Sequence, residues 1–406
     1  MPFSVAYCHL SLLLFFIASF FEGNFIEKGR VIVKNPLAWI LPVFFLLHLA
    51  GLYYSSNQST GWSSIDNKLA FAFAPLIIVS ANPFTKRELR RVSNVFIASC
   101  SVVIIVCLLN AIMVSSSGQP LWNFGPKEPY VALHPGISPL WPYFSYIGLA
   151  SGVDMHPTYL ALYLYVCVLI ALGRMTVKFD ISYLLVIMCF LVFIVLLSSR
   201  IMVLTTILTI VGVIATSSIK KNRFVGVVAL VVIIITLMIN PIAQYRNTQE
   251  YRRSNFSWPP AEMSDNPISI RMSLWWLSLH AVGEVNPLIG TGTGDVKDTM
   301  LELSDRYNVH NILYTADPHN QYLYTFIGLG ALGLVWLLVV FAVPLVMLWR
   351  RREFLAFVGL ISFMCVCMTE SALELQKGII LFTLFVSLTG NTAREGSFLT
   401  QRLEYA

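Results

Sequence analysis

Few side chains in this protein are free to do chemistry. Of 406 residues, 27 are Lys or Arg and 21 are Asp or Glu, so an ionisable group at the mouth of an apolar run stands out. His319 is the first, in Asp317-Pro318-His319-Asn320. An aspartate cap followed by proline in the first turn starts a helix there. The imidazole then faces unpaired amides and the positive end of the helix dipole. That setting favours neutral imidazole, which accepts protons, and it attracts anions such as phosphate. The plainer alternative is an interfacial histidine holding an ordinary hydrogen bond. Arg200 follows Ser198 and Ser199 between two apolar runs, at a helix start, which is the unfavourable end for a cation. Ionisable groups at membrane depth are costly enough to point to function, with snorkelling to headgroups as the competing explanation. Arg271, Trp275 and Ser278 share one face of an amphipathic stretch. Two guanidiniums, Arg200 and Arg271, are suited to clamp a diphosphate bidentately.

A second rank of residues follows. His156-Pro157-Thr158-Tyr159 opens another apolar run, and His156 and Tyr159 are either substrate contacts or a structural helix start. Glu370 and Glu374 are one helical turn apart and serve as a base or a sugar ligand, or else form a hydrated loop face. Gly290-Thr291-Gly292-Thr293-Gly294 invites a nucleotide site, but no strand precedes it and the glycine spacing is wrong. A tight turn is the better expectation, with neither nucleotide nor nucleic acid as partner. All seven cysteines, Cys8, Cys100, Cys107, Cys167, Cys189, Cys365 and Cys367, lie in apolar runs. Disulfide and zinc-knuckle spacing needs loops, so neither is expected, and no motif calls for a cofactor.

The elements that must position these residues are membrane helices. The chain is 57% hydrophobic and 12% charged, against about 45–50% and about 25% in ordinary globular domains. A bilayer must therefore be the solvent. Apolar runs cover 3–21, 36–54, 66–82, 92–116, 156–173, 180–198, 201–217, 224–242, 322–348, 354–370 and 374–390, long enough for about eleven spans at roughly 20 residues each. They are continuous rather than alternating, which excludes a transmembrane barrel. The first run lacks a preceding basic residue and a following small-residue cleavage site, so it is expected to remain as a helix. The fold class is thus an all-α polytopic membrane protein of about 11–12 helices.

Orientation follows from the basic loops. Lys28, Arg30 and Lys34, the Lys86 to Arg91 loop, Arg174 and Lys178, Lys220 to Arg223, Arg350 to Arg352, and Arg394 with Arg402 fall on one side, which is cytoplasmic. The net charge of +6 is thereby a matter of topology. Two outer segments are long. One, 117–155, is aromatic and proline-rich, with Trp122, Tyr130, Trp141, Pro142 and Tyr143; it is an interfacial belt or a contact for a lipid-linked substrate. The other divides the chain into an N-terminal bundle (1–242), a large outer loop (243–320) and C-terminal helices with a tail (321–406). Within that loop, Ser269 to Val285 predicts a helix ended by Asn286-Pro287, and Asp295 to Tyr307 a second one. Functional loops are often this long.

These residues together resemble the O-antigen ligase and O-antigen polymerase superfamily. The resemblance rests on Ser198-Ser199-Arg200, on Arg271 with Trp275, on Asn286-Pro287-Leu288-Ile289-Gly290-Thr291-Gly292, and on His319-Asn320 followed by Gly328, Gly330 and Gly333. It covers about 190–340. It implies a fold resembling the C-class glycosyltransferases, in a bacterial inner membrane with the site facing the periplasm. The implied reaction moves a glycan from undecaprenyl diphosphate to an acceptor hydroxyl, on lipid A-core for a ligase or on a second lipid-linked glycan for a polymerase, without a metal and with inversion. On that resemblance Arg200 and Arg271 hold the diphosphate and His319 is the base; Asn320, Trp275, His156, Tyr159 and Glu370 are further candidate substrate contacts from the residues themselves. Family members have about twelve helices with both ends cytoplasmic, whereas these runs place the start outside. A transporter or flippase is the alternative of another class, but it calls for internal repeats and midplane charges, and the charges here gather at helix ends.

Overall fold

The computed structural model describes residues 5–118, 137–153, 155–177, 179–216, 220–254, 258, 267–309 and 316–391. Among these, every regular element is helical. The order is α1 (Val5–Phe21), α2 (Phe25–Lys34), α3 (Pro36–Tyr53), α4 (Gln58–Asn67), α5 (Leu69–Ser80), α6 (Lys86–Ser117), α7 (Tyr146–Ala150) and a 3-10 turn (Ser151–Val153). Then come α8 (Pro157–Val177), α9 (Ile181–Leu196), α10 (Arg200–Thr216), α11 (Lys220–Ile239), α12 (Pro241–Arg253), α13 (Pro267–Glu284), α14 (Val296–Arg306), α15 (Gln321–Arg350), α16 (Phe354–Cys367) and α17 (Gln376–Asn391). The apolar runs correspond to α1, α3, α5, α6, α8 to α11 and α15 to α17. Five stretches are long and apolar enough to cross a bilayer by length and composition, in α3, α6, α8, α11 and α15. The chain is an all-α polytopic membrane protein.

Asparagine starts many of these helices, because its carboxamide accepts from amides that the first turn leaves unpaired. Asn35 caps α3, Asn57 caps α4, Asn240 caps α12 and Asn320 caps α15. Thr85 and Glu88 form a full capping box on α6. Two expectations change as a result. Asp317 does not cap the helix that follows, since α15 begins at Gln321 under Asn320. The last part of the 224–242 run is also no longer a span, because Asn240-Pro241 stops α11 and opens α12.

The most interior helix is α8, with 94% of its spanning window buried, which is why its sequence is apolar on every face. Its two buried tyrosines satisfy their hydroxyls. Tyr165 Oη lies 2.6 Å from Thr209 Oγ1 and 2.8 Å from Ser362 Oγ, while Tyr163 donates to Lys377 O at 2.8 Å. These bonds lock α8 to α10, α16 and the start of α17.

The glycine-rich segment has a structural task. In α15 the backbone breaks at Gly330, with φ 62 and ψ −160, so carbonyls and amides around the break lose their helical partners. Residues 287–292 supply replacements. Thr291 N donates to Ile327 O at 2.8 Å, Gly292 N to Gly328 O at 2.9 Å, Ala331 N to Pro287 O at 2.8 Å and Leu332 N to Leu288 O at 3.2 Å. An interrupted membrane helix is tolerated only when its freed groups are paired again in this way. A Cβ on Gly330 would collide with the Leu288 backbone, so glycine is required at the crossing. The expected tight turn thus docks on a helix, and its amides are spent on protein carbonyls rather than left for phosphate. Asp295, expected at the start of α14, turns its carboxylate instead to the amides of Ser56 and Asn57, both at 2.7 Å.

Candidate active site

The basic loops gather at one end of the bundle. There Asn391 donates to Ile78 O, Ala81 O and Asn82 O, Arg351 Nη1 reaches Thr389 O at 2.9 Å, and Arg174 Nη2 reaches Arg90 O at 3.1 Å. His319, Arg271, Arg200 and His156 lie at the other end. Helix direction and loop charge therefore agree on two chemically distinct ends.

Three turns shape the site end. The Ser198-Ser199 turn between α9 and α10, with Ser198 in the left-handed region at φ 49, is a docking point. Ser145 Oγ, just before α7, donates to Leu196 O at 2.6 Å, Asn240 Nδ2 donates to Ser145 Oγ at 3.1 Å, and Thr158 Oγ1 sits 3.1 Å from Ser199 Oγ. Small hydroxyls here let four segments meet and put Arg200 at the head of α10. A second turn precedes α15. His319 takes φ 45 and its amide donates to Asp317 Oδ1 at 2.8 Å. Ser371 Oγ donates to the same oxygen at 2.5 Å, tying this turn to the third, the α16–α17 link that carries Glu370 and Glu374.

The link supplies the central contact. Glu370 receives His319 Nδ1 on Oε2 at 3.0 Å and Arg271 Nη2 on Oε1 at 2.8 Å. Burial would push this carboxyl upward, but the His319 hydrogen bond and the charges of His156 and Arg271 hold it down at about 2. A carboxylate that stays ionised can only accept, so the His319 proton sits on Nδ1. In the neutral ring this leaves Nε2 as the nitrogen that can accept a proton. Expectation and structure differ on Glu370, since a hydrated loop face is replaced by a buried carboxylate. Glu374 is largely covered too, paired with Lys68 and with Gln321 Nε2 at 3.0 Å.

His156 lies immediately before α8. Burial lowers its pKa, and Arg271, His319 and Arg246 lower it further against an opposing pull from Glu370. The Thr158 amide points at its Nδ1 at 3.4 Å. Its ring is 6.1 Å from that of Tyr159, so this pair belongs to the same cluster. Trp275 joins Arg271 one turn along α13, and its indole Nε1 and Arg271 Nε are both buried without an acceptor among the described residues. Asn320 is committed to capping, since its Oδ1 takes Tyr322 N at 3.0 Å and Leu323 N at 3.1 Å. Trp122 and Tyr130 lie outside the described residues. Trp141 and Tyr143 pack half-buried beside α7.

Arg200 is held differently from Arg271. Its Nη2 donates to Glu250 Oε2 at 2.7 Å and to the Arg246 carbonyl. Arg246 itself went unnoticed in the sequence. It is 5% exposed, stacks 3.5 Å above the centroid of Tyr146, and leaves Nε and Nη1 buried with no hydrogen-bond partner among the described residues. Among the described residues its ion-pair partner is Glu250, whose Oε2 is 3.8 Å from Nε. A local signal existed: Asn240-Pro241 opens a helix, and Arg246 and Glu250 are four apart on one face of it.

Together these features define a many-helix membrane protein with a buried glutamate paired to a half-buried histidine beside three arginines at one end of the bundle. Residues 184–338 match the family model for O-Antigen ligase. That span runs from α9 into α15 and contains Arg200, Arg246, Glu250, Arg271 and His319. His156, Tyr159 and Glu370 lie outside it. The match supports the O-antigen ligase and polymerase superfamily, a type of membrane glycosyltransferase. No curated protein matches the chain.

Proposed function

We propose that the protein transfers a glycan from undecaprenyl diphosphate to an acceptor hydroxyl on the periplasmic face of a bacterial inner membrane, as an O-antigen ligase with lipid A-core as acceptor. The observation that carries this reading is the set of buried N–H groups without acceptors among the described residues, Arg271 Nε, Trp275 Nε1 and Arg246 Nε and Nη1, beside His319, whose Nδ1 is turned to Glu370. Unpaired buried donors are costly, and a multiply charged diphosphate offers them acceptors.

In the reaction, His319 Nε2 takes the hydroxyl proton as the acceptor oxygen bonds to the anomeric carbon. The bond from that carbon to the phosphate oxygen breaks with inversion, and the electron pair leaves with the diphosphate. Arg271, Arg246 and Arg200 stabilise that developing charge, which removes the need for a metal. Glu370 keeps the imidazole oriented and stabilises the imidazolium, as a carboxylate does in other histidine-based sites.

The test uses purified full-length protein in nanodiscs with an undecaprenyl-diphosphate glycan and lipid A-core. Conjugate should form without added metal, and undiminished conjugate from His319→Ala would overturn the proposed base. Replacing the acceptor by a second lipid-linked glycan distinguishes polymerase from ligase, because the chemistry is otherwise the same.

A further inference from the structure

The end of the bundle remote from the site holds a second chemically distinctive feature. Helix α2 is short and two-faced. Glu27, Arg30, Val31 and Lys34, spaced three and four apart, line a cavity of ≈ 440 Å³. Its floor comes from distant parts of the chain, including Val79, Ala81, Met347 and Gly390. Around the helix, Ile26 and Val33, seven residues apart, are 78% and 80% exposed, with Phe25 at 56%. A helix with a bare apolar stripe beside a basic one is the form that lies in the interface plane of a bilayer.

The charges are uneven. Lys28 is turned away, bonded to Ser19 and paired with Glu22 at 2.9 Å. Arg30 and Lys34 face the cavity with no ion pair or hydrogen bond among the described residues, and Glu27 is the one acidic side chain lining it. The cleft is therefore net positive, partly apolar at its base, and level with the exposed stripe that enters lipid. Asn35 holds the helix in place, since Nδ2 donates to Gly390 O at 3.1 Å while Oδ1 caps α3.

We propose that this cleft binds the headgroup of an acidic phospholipid, with its phosphate between Arg30 and Lys34 and its glycerol and upper acyl carbons against Met347 and Val79. A zwitterionic headgroup fits worse, because its ammonium would meet the same two cations. The bound lipid fastens α2 to α3, α5 and α17. Under the proposed orientation this is the cytoplasmic leaflet, where basic segments attract anionic lipid. The site does not depend on the transferase reading, and its test needs no activity.

Full-length protein in mild detergent is loaded with phosphatidylglycerol or with phosphatidylcholine, and retained lipid is read by native mass spectrometry alongside the thermal unfolding midpoint. The wild type should retain phosphatidylglycerol preferentially and unfold at a higher temperature with it. Arg30→Gln with Lys34→Gln should weaken retention roughly 10- to 30-fold, the scale expected for two surface cations. Arg30→Lys with Lys34→Arg, which keeps both charges, should restore it. Lys86→Gln with Arg87→Gln, at the same end but outside the cleft, should leave it unchanged. Equal retention of both lipids overturns the proposal, as does equal loss in the Lys86 and Arg87 control, or full stabilisation by inorganic phosphate alone.

Discussion

Glu370 and Glu374 sit in one short link between α16 and α17, the first buried and the second largely covered, yet their surroundings are opposite. Glu374 is closed. Lys68, fully buried, takes Oε2, and Gln321 gives Nε2 to Oε1 while its own Oε1 receives Leu373 N at 2.7 Å. Lys68 also reaches Ser64 Oγ at 2.8 Å. Every charged or amide side chain at that centre has a partner within the protein. Glu370 is open, because each of its partners keeps something in reserve. His319 retains Nε2, and Arg271 retains an Nε that nothing among the described residues accepts. A buried ion pair that saturates itself fixes a link in place, and one that leaves groups over can bind and react.

The largest effect should come from the open side. His319→Gln removes the base, and transfer measured on the purified protein should fall about 10³- to 10⁴-fold, at the strong end of general base catalysis, with unfolding unchanged. Next, Glu370→Gln keeps the shape but not the charge that orients His319. A fall in kcat of about 10²- to 10³-fold is expected, with KM rising less.

Glu370 also sets a pH dependence of stability. Its folded pKa of about 2 lies below the ordinary 4.5, so its contribution is complete above about 4.5 and drains away as pH falls toward 2. Thermal unfolding followed from pH 6 to pH 2 should show that decline in the wild type and lose this part of it in Glu370→Gln.

The closed side should respond in stability rather than chemistry. Lys68→Met strands a buried carboxylate and should destabilise by about 3 kcal/mol, with kcat per folded molecule within about threefold of the wild type. Pairing it with Glu374→Gln should recover most of that loss. Gln321→Met is the mildest, about 1–2 kcal/mol for leaving Leu373 N unpaired. If Lys68→Met instead abolished transfer in folded protein, the division between the two carboxylates would fail.

Much of the frame was legible in the chain. Hydropathy marks the spans because a bilayer demands long apolar segments, and Asn286-Pro287 marks the end of α13 because proline cannot continue a helix. Arg200, Arg271 and His319 stood out because charge is scarce here and each interrupts an apolar or amphipathic pattern. Arg246 did not, lying in a polar stretch with mean composition like any solvated helix. Glu370 was named, but its burial and its partner were not visible, since two carboxylates at helical spacing look the same in a hydrated loop as in a packed link. The break at Gly330 was equally hidden, because its hydropathy continues through Ala331 and Leu332 without change.

The sequence by itself determined the class of protein, the end at which the basic loops collect, and three of the residues on which the proposed chemistry rests. Each follows from local physics: apolar length, charge cost in lipid, and the geometry of helix ends. Only the tertiary structure decided which carboxylate meets His319 from 51 positions away, which arginine of α12 stacks on Tyr146, and why residues 287–292 must be glycine-rich. Those are pairings between segments far apart in the chain, and a pairing is set by how whole helices pack, which no local pattern records.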